Sequence, residues 1–317
     1  MDAAAQMGRC MKLLALALLC AACLPAANYY VTVAGLGGSP DYDTQFAKWA
    51  ADLDKELKSN GADAHVVTLS GLAATRQKVQ QALSDLASQV QPGDSFALLL
   101  IGHGTYDGTD YKINLPGPDM TAGELATLLN RIPAKRQLVV NMTSCSGASL
   151  APLVKKDRIV ITATKSGTEK NATVFARYWI DALKDPSADT DKNGTVSALE
   201  AYEYAQKKTA AYFESEKLLA TEHAMISDNG SANAVRDPKP DNGVGLLAAA
   251  FPVLRADADT AKNLNPEKQK LLTKKEDLEA KIDRLKYEKA TMSDQEYKQQ
   301  LTTLLLELAR TQAEIDR

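Results

Sequence analysis

Cysteine is nearly missing from this chain. Only four of its 317 residues are cysteine, and Cys10, Cys20 and Cys23 all lie in the first 23. Beyond them Cys145 stands alone, so the rest of the chain can form no internal disulfide. A lone thiol in an exported chain points to intermolecular pairing or to a reactive group. Histidine is also scarce: His65, His103 and His223 are the only three. No excess of one charge is present, with 37 basic against 40 acidic residues and a formal net charge of −3. That favours solubility and gives no electrostatic case for a nucleic-acid partner. After the first segment no apolar run reaches the ~18 residues of a membrane span, so no transmembrane helix is expected there.

The first segment has a different logic. Met11-Lys12 is a short basic start, Leu13 to Cys23 is apolar, and small residues follow through Ala26-Ala27. That pattern reads as a secretory signal peptide over residues 1–27, too short to span a membrane. It implies an exported protein, periplasmic or secreted. Leu19-Cys20-Ala21-Ala22 is an imperfect lipidation pattern, which leaves Cys23 open as a lipid-anchored first residue.

Two segments carry the chemistry. Ser95 to Ile101 is an apolar run that leads into Gly102-His103-Gly104, and Gln137 to Thr143 leads into Ser144-Cys145-Ser146-Gly147. Apolar, β-branched runs bounded by turn formers read as strands buried on both faces. A separation of about 35 residues suits a parallel pair with a crossover between them. Functional residues of open parallel sheets gather at the carboxyl ends of the strands. A His and a Cys stand there, flanked by glycines that admit close approach. A thiol nucleophile and its base need that arrangement. A free cysteine at a strand end also packs well as a small apolar residue.

The remaining order is alternating. Tyr29–Ala34, His65–Leu69 and Arg158–Ala163 read as further strands. Helices are expected over Phe46–Leu57, Thr75–Val90, Thr121–Ile132, which opens on the capping box Thr121-Ala122-Gly123-Glu124, and Thr173–Leu183. Gly243–Leu254 reads as an edge strand. Alternating strands and helices imply an α/β sandwich with a mostly parallel sheet over residues 28–255. After Asn265-Pro266 the pattern changes to two amphipathic stripes, Leu271 to Leu285 and Tyr297 to Ile315. Residues 262–317 thus read as an antiparallel helical hairpin that docks on its own domain or mediates dimerisation.

Residues 189–200 match a calcium loop at each specified position. Asp189, Asp191, Asn193 and Glu200 stand at positions one, three, five and twelve, with Gly194 at six and the Thr195 carbonyl at seven. Ser197 is at position nine, where a water often intervenes. Hard Ca2+ takes six to eight oxygens, and this spacing supplies them. Ser227-Asp228-Asn229-Gly230 lacks the later ligands, so the loop has no complete partner and reads as a structural staple. An Asx-rich turn would share its composition.

Together these features resemble the caspase-like cysteine peptidases, and among them the bacterial legumain type. The matching residues are Gly102-His103-Gly104 after one strand and Ser144-Cys145-Ser146-Gly147 after the next. The resemblance covers about residues 28–255. It implies a caspase-like three-layer sandwich with a mostly parallel sheet; the EF-hand-like calcium loop inserted in it and the C-terminal helical hairpin lie outside the family's core pattern. It implies that Cys145 is the nucleophile and His103 the general base. It implies also that the backbone N–H groups of Cys145 and of Gly104 or its neighbour hold the oxyanion.

There are departures. Legumains carry an acidic residue two positions before the cysteine, and here that position is Thr143. Caspases carry a Gln there and a basic pocket residue, and neither is seen. The family's side-chain preference therefore does not transfer. His65 reads as structural. His223 stands after a helix, where it can reach the same rim. Asp107 and Asp110 could orient the base or meet substrate, or simply shape a turn. Two functions follow: an exported cysteine endopeptidase acting on peptides or proteins and stabilised by calcium, or a silent calcium-binding scaffold of the same fold.

Overall fold

The computed structural model describes residues 26–61, 63–255 and 266–316. Residues 1–25, which hold most of the expected signal peptide and Cys23, lie outside them. The central sheet is built from β1 (Asn28–Ala34), β2 (Ala64–Ser70), β3 (Ser95–Ile101), β7 (Arg136–Asn141), β8 (Arg158–Thr162) and β10 (Met225–Ser227), in the order β10-β8-β7-β3-β1-β2. The first five are parallel, and β10 runs antiparallel to β8. The order reverses between β1 and β3, so the crevice of this doubly wound sheet lies at their carboxyl ends.

Helices cover both faces. Alternate residues of β3 face opposite layers: Leu99 and Ile101 pack with one cluster, Leu98 and Leu100 with the other. The first layer holds α1 (Pro40–Lys58), α5 (Phe175–Lys184) and α6 (Ala198–Ser215); the second holds α2 (Arg76–Gln89), α3 (Ala122–Leu129) and the short α4 (Leu150–Leu153). Burial on both faces explains why the strands read as unbroken apolar runs. Helix α1 shows how local signals set an element. Ser39 caps its N-terminus, Pro40 follows, Asp41 and Asp43 lie in the first turn, and Phe46, Trp49, Leu53 and Leu57 form its buried stripe.

Three parts differ from the sequence reading. The loop after His103 is folded into a small antiparallel sheet of β4 (Gly104–Tyr106), β5 (Tyr111–Ile113) and β6 (Met120–Thr121). Strands of two or three residues are too short for periodicity to reveal. The sixth strand, β10, is equally short. Gly243–Leu254 is not an edge strand of the main sheet: it forms the turn-length α7 (Leu246–Ala249) and then β11 (Pro252–Arg255), which pairs with β9 (Thr195–Ser197). Gly245 at φ +106° caps α7, and an alternating pattern cannot survive such a turn.

The C-terminal helices are α8 (Pro266–Tyr287) and α9 (Asp294–Ile315), bridged by the Lys274–Glu307 ion pair. Leu278, Ile282 and Leu285 of α8 are buried. Tyr287 donates to the Val244 carbonyl, Asp283 accepts from Asn193 at 2.8 Å, and Lys286 pairs with Asp191 at 3.0 Å. Light scattering of the full chain and of a chain ending at 261 tests what these contacts mean. Intramolecular docking gives one-chain masses in both. A full-length dimer that becomes a monomer on truncation would make the hairpin an assembly device.

Candidate active site

His103 and Cys145 stand just past the carboxyl ends of β3 and β7, neighbouring parallel strands in which Leu100 is opposite Asn141. Three contacts hold the half-buried imidazole. Tyr42 and Phe46 of α1 meet it edge-on at 4.9 and 5.1 Å between ring centroids. Its Nε2 lies 3.1 Å from the Gly37 carbonyl, in the turn after β1. A carbonyl can only accept, so Nε2 carries the proton and Nδ1 of the neutral ring is left as the basic nitrogen. The bond crosses the switch-point crevice between β1 and β3.

The strand end before Cys145 is set by a buried network. Tyr111 of β5 shares a hydrogen with Thr143 at 2.5 Å and donates to Asn141 at 3.2 Å, while the Asn141 amide donates to Ser149 at 2.9 Å. Thr143 is fully buried. Its hydroxyl serves that network rather than the surface. Gly104 must be glycine, because a Cβ there would lie 2.5 Å from the Ser144 carbonyl and from the Tyr111 ring. That close approach seats β4 against the cysteine turn.

Cys145 itself adopts φ +57° and is 2% exposed. A left-handed non-glycine residue stores strain, which tends to gather at functional sites. Burial pushes its thiol above the ordinary value, although Lys170 and the Tyr106 amide pull the other way. No hydrogen bond joins the thiol to His103 in this structure. The amides assigned to an oxyanion are also engaged. Cys145 N–H donates to the Glu169 carbonyl at 2.8 Å, and Gly104 N–H donates to the Ser144 hydroxyl at 3.0 Å. The expected residues thus stand at one edge in a closed arrangement, with the thiol's pKa raised and the Cys145 and Gly104 amides both engaged.

Sequence reasoning missed the residue that closes it. Glu169 follows β8, and its side chain, 9% exposed, accepts from Lys165 N–H at 2.9 Å and meets His223 Nδ1 at 2.5 Å. His223 therefore reaches the rim through Glu169. The turn Lys165-Ser166-Gly167 at a third strand's carboxyl end was the available signal. Asp107 instead closes the β4–β5 turn: it accepts from the Thr109 and Asp110 amides and pairs with Lys112, which hold its carboxyl well below the usual range. His65 stacks on Tyr29 at 4.6 Å, near the amino ends of β2 and β1.

Glu222, beside His223, accepts the Val174 and Phe175 amides at the start of α5, both at 2.8 Å. Burial pushes its carboxyl from the ordinary 4.5 up to about 7, outweighing those two donors, and the Glu169 charge adds to the rise. The folded state thus binds this proton more tightly than the unfolded one. The stabilisation is complete below pH 4.5 and is lost as pH rises to about 7, an effect on the order of 3 kcal/mol. Thermal melts are expected to show a midpoint several degrees higher at pH 5.5 than at pH 8. In Glu222→Gln that difference should shrink; an unchanged gap would assign it elsewhere.

In the loop, carboxylate oxygens of Asp189, Asp191 and Glu200 lie within 4.8 Å of one another. Asp189 accepts the Asn193 and Gly194 amides at 3.1 and 2.9 Å, and Gly194 takes φ +82°. Asn193 Oδ1 accepts Thr195 N–H at 2.8 Å. Glu200 accepts from Thr190 and from Ser197, closing a capping box on α6. Helices α5 and α6 flank the loop, and β9 within it pairs with β11 where a second loop would otherwise pair. The donors are all hard oxygens, which fits calcium.

No protein-family model matches this chain, and no curated protein matches it. Among solved structures, the Drosophila initiator caspase Dronc aligns with a TM-score of 0.43 and 11% identity, over 66% of this chain and 82% of that chain.

Proposed function

We propose that the protein is a cysteine peptidase of caspase-like kind, with Cys145 as nucleophile and His103 as base. The observation that supports this reading is that His103 and Cys145 stand just past the carboxyl ends of neighbouring strands β3 and β7, with the Gly37 carbonyl fixing the imidazole tautomer. In the working arrangement His103 Nδ1 takes the thiol proton, the thiolate attacks a peptide carbonyl, and the imidazolium returns the proton to the leaving amine. The legumain type is the finer form of this reading, and the buried Thr143 weighs against its preference for asparagine. The substrates are peptides or proteins. Calcium, held by Asp189, Asp191, Asn193, Glu200 and the Thr195 carbonyl, would tie α5 to α6 and stabilise the domain without taking part in the chemistry.

The buried, protonated thiol favours one alternative, a silent scaffold of the same fold. Hydrolysis of a broad peptide library by the native chain and by Cys145→Ala separates the two. Turnover lost in the variant supports the peptidase, and equal turnover in both rejects it.

A further inference from the structure

The segment after β8 lies directly on the cysteine turn. The Glu169 carbonyl takes the Cys145 N–H at 2.8 Å, the amide that an oxyanion would need. Thr164 Oγ1 accepts Gly147 N–H at 2.9 Å. The fit leaves no slack: a Cβ on Gly147 would lie 2.2 Å from Ser166 N, and one on Gly167 would lie 2.2 Å from the Tyr106 ring. Substrate oxygen and Glu169 oxygen cannot share one N–H in good geometry. Closure of this segment and stabilisation of an oxyanion at Cys145 therefore exclude each other.

What holds the segment is Glu169's own side chain. Its carboxylate accepts Lys165 N–H at 2.9 Å, which folds the segment on itself. It also accepts His223 N–H at 3.3 Å and meets His223 Nδ1 at 2.5 Å, which ties the segment to the chain before β10. One residue thus blocks the Cys145 amide with its backbone and anchors the block with its side chain.

We propose that residues 165–169 form a latch over Cys145, clamped by Glu169 and His223, and that the site becomes competent only when the clamp breaks and the Cys145 amide is freed. The latch rests on the peptidase reading for its purpose, but its opening can be measured without any hydrolysis. Glu169 and His223 are positioning residues: they act through the segment and touch no reacting atom.

The test uses the full chain with His223→Ala, Glu169→Ala and the milder His223→Gln. Two readouts apply: hydrogen exchange of the peptide that contains the Cys145 amide, and the rate of iodoacetamide labelling of Cys145 read by peptide mapping. Loss of a hydrogen bond to a charged group should raise both by about tenfold or more in the alanine variants, with a smaller rise in His223→Gln. Exchange in β3 should stay at the native level, which separates local opening from unfolding. Unchanged exchange and labelling in all three variants overturn the latch, as does a rise that spreads equally to β3. Faster exchange with no hydrolysis by any variant leaves the latch standing and rejects the peptidase. Hydrolysis by the native chain with unchanged exchange in the variants rejects the latch alone.

Discussion

Replacing Cys145 by alanine is expected to abolish peptide hydrolysis while the chain stays folded. A thiolate is a far better nucleophile than the hydroxyls of Ser144 and Ser146 beside it, so neither should take its place. Cys145 is small and sits in a turn at φ +57°, so alanine meets the same backbone strain and loses little volume. Far-UV circular dichroism should match the native chain. His103→Ala should lower kcat by about 10²–10⁴ with less effect on KM, the mark of a group that acts in proton transfer rather than in binding. Phe46 and Tyr42 would lose their edge contact with the ring, so His103→Gln serves as a second variant that keeps the volume. A His103→Ala chain with native kcat would break the pairing of the two residues.

Calcium is expected to give a large stability change. A ligand that binds only the folded state adds RT ln(1 + [L]/Kd), about 2.7 kcal/mol at a hundredfold excess. For a domain of this size that is a rise of roughly 5–10 °C in the melting midpoint. Glu200→Gln removes one charge and the oxygen pair best placed for bidentate binding. A glutamine still suits the capping box with Ser197, so helix α6 keeps its start. The variant should melt near the native chain without calcium and gain little when calcium is added. Isothermal titration that detects no binding at millimolar calcium would remove the ion from the account. Because Asp283 and Lys286 of α8 bond to Asn193 and Asp191, the same titration with the chain ending at 261 should change in affinity.

Much of the fold could be read along the chain because its strands are buried on both faces. Val31, Leu98, Val139 and Val160 belong to runs that no amphipathic helix would show. Helix α3 announces itself with Thr121 and Glu124, which form the capping box that the spacing predicted. Strands β4, β5, β6 and β10 are too short to leave a period. The turn through Gly245 also hid that β11 pairs with β9 rather than with the main sheet. Cys145 and His103 were legible as candidates for a chemical reason: rare reactive side chains, each at the end of an apolar run and each with a glycine within two residues.

The sequence alone determined the alternation of strands and helices, the twelve-residue spacing of oxygen donors at 189–200, and the two residues able to form a thiol dyad. These are local properties, carried by periodicity and by the spacing of residue types. Only the tertiary structure decided the state of the site. The Glu169 carbonyl on Cys145 N–H, the His223 side chain on Glu169 and the Gly37 carbonyl on His103 join residues 24, 54 and 66 positions apart. Hydrogen bonds between distant segments leave no trace in local pattern, because any residue has a carbonyl to offer. Burial had the same hidden effect on the thiol and on Glu222, since desolvation depends on what packs around a group and not on its neighbours in the chain.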